Sequence, residues 1–95
     1  MIENNMIFTI EQARDILRID GADNDVQIQS LIAAIPSYLD ITAGYVADGE
    51  YSPLAKTAAG FILQLWYYGE SADIQKLNKV IDSLLKALTY EKWFL

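Results

Sequence analysis

Apolar residues recur along this chain at the three-to-four-residue spacing of helix faces, in four successive stretches. In the first, Ile10, Ala13, Ile16 and Leu17 fall on one face. Thr9-Ile10-Glu11-Gln12 fits a capping box, with the Thr9 hydroxyl accepting from the Gln12 amide and the Gln12 side chain reaching back. Ile7 or Phe8 is placed to pack as a staple, and Gly21 is expected to end the unit. Asp20-Gly21-Ala22-Asp23-Asn24-Asp25 reads as a turn, with Asn24 or Asp25 capping the second helix. The second stripe, Ile28, Leu31, Ile32, Ile35 and Leu39, persists across Pro36. It predicts one helix from about 25 to 43, kinked at the proline and ended by Gly44.

Residues 45–52 form the one substantial loop. Ser52-Pro53 then opens a third helix, since proline at the first helical position loses only an amide that had no partner. Leu54, Ala58, Phe61, Ile62, Leu65 and Trp66 leave that helix little polar surface up to about Tyr68, where Gly69 closes it. A helix apolar nearly all round is central and buried. Ala55, Ala58, Ala59 and Gly60 would let other helices come close. Ser71 or Asp73 caps a last region in which Ile74, Leu77, Ile81, Leu84, Leu85 and Leu88 form one stripe, with or without a break near Asn78. There is no alternating strand pattern, internal repeat or low-complexity stretch. The expected fold is all-α: a compact irregular bundle of four to five helices around a central hydrophobic third helix, one domain over residues 1–95.

Composition narrows the function classes. At 53 % the hydrophobic share exceeds the usual 45–50 % or so of soluble domains, and a subunit interface is one home for the surplus. The absence of cysteine and histidine removes disulfides, thiolate chemistry, the usual zinc ligands and the usual base near neutral pH. No run reaches the roughly 18 apolar residues of a bilayer span. Met1-Ile2-Glu3-Asn4-Asn5 carries no basic region, so no signal peptide is expected. The net charge of −6 is uneven: nine acids against two bases in residues 1–50, four against five in 51–95. No basic stripe for phosphates stands out in the sequence. The split could instead match copies of the chain head to tail.

Candidate chemistry is sparse. In the acidic turn, an EF-hand register from Asp20 places Ala22 at position three, Asp25 at six and Leu31 at twelve; one from Asp23 places Ile28 at six. Both fail the ligand pattern, and helix capping explains the acids. No carboxylate pair is flanked by a nucleophile, and no glycine loop would cradle phosphate. No catalytic residue, cofactor or metal is therefore expected. Interface residues are the better candidates. Trp66-Tyr67-Tyr68 covers most of a helical turn; Trp66 should be core, while Tyr67 and Tyr68 divide evenly between core and interface. Trp93, Phe94 and Leu95, with Tyr90 nearby, form an apolar tail that either folds back on the core or docks on another subunit, docking being the favoured reading. The loop supplies Tyr45, Val46, Asp48, Glu50 and Tyr51 as a second surface that could order on docking.

Three stretches together resemble a known family: Phe8-Thr9-Ile10-Glu11-Gln12-Ala13-Arg14-Asp15-Ile16-Leu17-Arg18-Ile19-Asp20-Gly21 with its acidic turn; Ile28-Gln29-Ser30-Leu31-Ile32-Ala33-Ala34-Ile35 continuing to Tyr38-Leu39; and Pro53-Leu54-Ala55-Lys56 continuing to Trp66-Tyr67-Tyr68-Gly69-Glu70. Val80-Ile81-Asp82-Ser83-Leu84-Leu85 adds to the likeness. Their order and spacing resemble the small head–tail connector (adaptor) proteins of tailed bacteriophages and prophages, over nearly the whole chain. Members often carry asparagine or arginine after the tryptophan–tyrosine pair, where this chain has Tyr68-Gly69-Glu70. The resemblance implies an all-α subunit of an oligomeric ring, typically of about a dozen copies, in the virion neck. Its partners would be itself, the portal protein and the next neck or tail protein. DNA would pass through without sequence-specific binding. Outside the virion the protein would sit in the bacterial cytoplasm during assembly or when encoded by a prophage, and no membrane would be involved. The alternative is a small non-catalytic adaptor or regulatory module that binds one partner helix in a groove.

Overall fold

The computed structural model describes residues 7–47, 49–69 and 73–94, with side chains as far as Glu91. Among them are four helices and no strand: α1 Ile10–Leu17, α2 Asp25–Ala43, α3 Pro53–Tyr68 and α4 Ile74–Phe94. The all-α bundle expected from the sequence is therefore present, at the lower helix count.

Most helix ends arise from the local chemistry. The Gln12 amide donates to Thr9 Oγ1 at 3.1 Å and the Thr9 amide to Gln12 Oε1 at 2.9 Å, a complete capping box. Ser52 Oγ accepts from the Ala55 amide at 3.1 Å, with Pro53 in the first turn. Asp73 Oδ1 accepts from the Lys76 amide at 3.2 Å. Gly44 takes φ 68° and donates to Asp40 O at 2.9 Å, while the Tyr45 amide reaches Leu39 O at 3.2 Å.

Other expectations are corrected. Helix α1 stops before Gly21, because Arg18 itself adopts φ 59°. The Ile19 amide, 2.9 Å from Arg14 O, closes that left-handed cap. Asn24 occupies the N-cap position of α2 without a side-chain capping bond. Helix α2 runs through Pro36 as the single segment expected, whereas α4 runs past Asn78 without a break. Trp66 is only half-buried, edge-on to Tyr38 with ring centroids 5.3 Å apart.

Helix α3 packs against all three others; α1 and α4 flank it and barely meet, while α2 contacts all three. Its contact face is made of small residues: Ala55, Ala58, Ala59 and Gly60 are all buried. Small side chains let helix axes approach to the short end of the usual 8–10 Å or so. Around that face, Leu17, Ile28, Ile32, Ile35, Leu39, Ile62, Leu63 and Leu88 are each under 2 % exposed. Burying one such side chain is worth about 1.5–3 kcal/mol. Ile7 and Phe8 close the core beside α1, and no polar or charged residue is buried among the described residues.

Two substitutions test this packing by urea unfolding. A Cβ at Gly60 would meet Ile16 Cγ2 at 3.9 Å and Cδ1 at 4.0 Å, ordinary contact distances. Gly60→Ala should therefore raise stability by about 0.5–1 kcal/mol through helix propensity. Leu63→Ala should lower it by about 2–5 kcal/mol. A destabilising Gly60→Ala would show that α1 and α3 leave no room for a methyl group at this crossing.

Candidate interaction surfaces

The expected interface residues fall into three places. The loop group surrounds a groove of about 270 Å³ lined by Pro36, Ser37, Asp40, Tyr45, Val46, Ala47 and Tyr51. Tyr45 and Tyr51 are half-buried there, their rings 6.3 Å apart. The Tyr45 hydroxyl accepts from the Ser52 amide at 2.9 Å, which ties the start of the loop to the N-cap of α3. Burial, and then the neighbouring Tyr45, hold the Tyr51 hydroxyl above the usual tyrosine pKa of 10.0. Val46 (69 % exposed) and Glu50 point outward. Asp48 lies outside the described residues.

At the end of α3, Tyr67 and Tyr68 are both engaged within the chain. The Asn24 amide nitrogen donates to the Tyr67 hydroxyl at 2.6 Å. The Tyr68 hydroxyl donates to the Leu17 carbonyl at the end of α1. That carbonyl is one of the last four in its helix, which have no intrahelical donor. Tyr68 remains 40 % exposed along its ring edge-on to Tyr67. At the end of α4, Tyr90 is 65 % exposed. The backbones of Trp93 and Phe94 continue the helix, while their side chains and Leu95 lie outside the described residues.

Sequence reasoning missed three exposed residues and one ion pair; one of the three, Ile74, was expected in the α4 core stripe and is 41 % exposed. Val26 (81 %) and Ile41 (82 %) are the most exposed large apolar side chains on the described surface. Their signal was phase: at 3.6 residues per turn they lie roughly 165° and 135° from the centre of the α2 core stripe. The ion pair joins Arg14 on α1 to Asp25 on α2 in a two-pronged contact, with Arg14 Nε 3.0 Å from Asp25 Oδ1 and Nη2 on Oδ2. The Arg14 hydrogen bonds, and then its charge, hold the Asp25 carboxyl below its ordinary 3.8. Asp25 is thus committed within the acidic turn, and among the described residues no three acids converge on a point that could hold a metal ion. No helix among those residues is long and apolar enough to cross a membrane.

The turn of residues 18–24 is therefore fixed by three side-chain links. Tyr68→Phe should cost about 0.5–1.5 kcal/mol of unfolding free energy, since Leu17 O loses its donor. The Asp25 link should show in pH dependence. A depressed carboxyl contributes fully above the unfolded value near 3.8 and loses its contribution as pH falls through the lower folded value. The stability gap between wild type and Asp25→Asn should accordingly be flat at neutral pH and close on acidification. A gap unchanged down to about pH 2 would remove Arg14 as the cause.

Comparison with protein-family models, curated proteins and solved structures finds no match to this chain.

Proposed function

We propose that this chain is a non-catalytic structural subunit of a phage or prophage head–tail connector, which oligomerises into a ring between the portal vertex and the tail. The observation that carries the reading is apolar surface left outside a satisfied core: Val26, Ile41, Val46 and Tyr90, each 65–82 % exposed. They sit on α2, the loop and α4, which suits a subunit with more than one neighbour. The ordered resemblance along the sequence supplies the family. The net charge of −6 suits a channel wall past which DNA slides without sticking.

The second reading, an adaptor that takes one partner helix, draws on the groove of about 340 Å³ between α2 and α4, lined by Tyr38, Thr42, Asp82, Leu85, Lys86 and Thr89. Co-expression with a portal protein from the same genome separates the two. The connector reading expects several copies per portal ring by light scattering, and Ile41→Glu with Val46→Glu should lower that occupancy about tenfold or more, as hot-spot substitutions do. One-to-one binding to an unrelated helical partner, with none to portal, would favour the adaptor.

A further inference from the structure

The loop groove beside Val46 and the outer face of α2 between Val26 and Ile41 expose apolar side chains among polar ones, yet neither bears a charge pattern that selects an occupant. The outer face of α4 does.

Lys76, Lys79, Ser83 and Lys86 recur along α4 at steps of three, four and three residues, and all are exposed. That spacing sets them on one stripe of the helix, turned away from the buried Ile81, Leu85 and Leu88. The stripe holds three lysines, with one acid at its edge, the exposed Asp82, three residues from Lys79 and four from Lys86. Among the described residues these lysines make no ion pair. The whole-chain count hides this patch, because acids elsewhere outnumber bases thirteen to seven. The opposite sign gathers on α1 and the turn after it, where Glu11, Asp15, Asp20 and Asp23 are exposed. Arg18 and Lys56 reduce that charge without reversing it, and Arg14 is already neutralised by Asp25. Helices α1 and α4 flank α3 and barely touch. The two charged surfaces therefore belong to separate helices of one subunit.

We propose that the lysine stripe of α4 docks against the acidic α1 flank of a second copy of this chain, a head-to-tail contact. The pairing rests on the self-assembly proposed above and names its two surfaces. When each surface engages a different neighbour the contact is heterologous, and it propagates into a ring or a filament. Exposed ion pairs contribute little singly, so the contact is weak in one pair of subunits, salt-sensitive, and cumulative around a closed ring. A second copy is favoured over a nucleic acid because three lysines offer few phosphate contacts on a chain whose net charge repels a polyanion.

Sedimentation equilibrium of the full chain at about 1 mM tests the proposal, since that concentration populates contacts of millimolar affinity. Low salt, about 0.02 M, should show mass above the monomer, and about 0.5 M should reverse it. Lys76→Glu, Lys79→Glu and Lys86→Glu together should weaken association about tenfold or more. Adding Glu11→Lys, Asp15→Lys, Asp20→Lys and Asp23→Lys to the same chain should restore it. The glutamine versions of the lysine changes, with unchanged helicity by circular dichroism, should act in the same direction. A wild type that stays monomeric at low salt overturns the pairing. So does association that ignores the lysine changes, or lysine changes that abolish duplex DNA binding and leave association intact. Portal-dependent assembly that survives lysine reversal sinks the pairing and keeps the connector reading. Salt-sensitive self-association without portal binding does the opposite.

Discussion

Everything in this fold depends on how closely the other helices can approach α3. Ala55, Ala58 and Ala59 are fully buried, and Gly60 is buried with Ile16 in van der Waals reach of where a side chain would begin. Larger residues there would push the flanking helices outward and open space around Ile62 and Leu63. In a chain of 95 residues there is no second core to compensate. The small face of α3 thus lets aliphatic side chains from α1, α2 and α4 meet over one short helix.

The second constraint is the tight return from α1 to α2. Arg18 holds a left-handed backbone conformation that costs about 1–2 kcal/mol for a residue with a Cβ. Backbone bonds to Arg14 O and Asp15 O, the Tyr68 hydroxyl on Leu17 O and the Arg14–Asp25 pair surround that position and offset the strain. The aromatic end of α3 is therefore a fastening within the subunit. What Tyr68 leaves open to a neighbour is its exposed ring and not its hydroxyl.

With the core closed and the turn fastened, the outside is sorted by chemistry. Apolar side chains stand out on α2, the loop and the ends of α4, lysines along one face of α4, and acids along α1 and its turn. Such sorting onto separate elements suits assembly, where each neighbour meets a different surface.

Features that depend on neighbours a few residues apart were legible in the sequence. The Thr9–Gln12 box, the Ser52-Pro53 start, the Gly44 and Gly69 ends and the core stripes of the helices, apart from the exposed Ile74 on α4, belong here, because caps and helix faces are set within one or two turns. For the candidate interface residues, residue type was legible but direction was not. Tyr45, Tyr67 and Tyr68 carry hydroxyls whose partners lie 7, 43 and 51 residues away. Those partners exist only once the helices have packed. The folded chain also ends α1 at Arg18 rather than Gly21 and turns Asn24 to Tyr67 instead of capping α2. For Asn24, Tyr67 and Tyr68 the reason is that each partner is an atom on another element, and sequence periodicity carries no record of which element that will be.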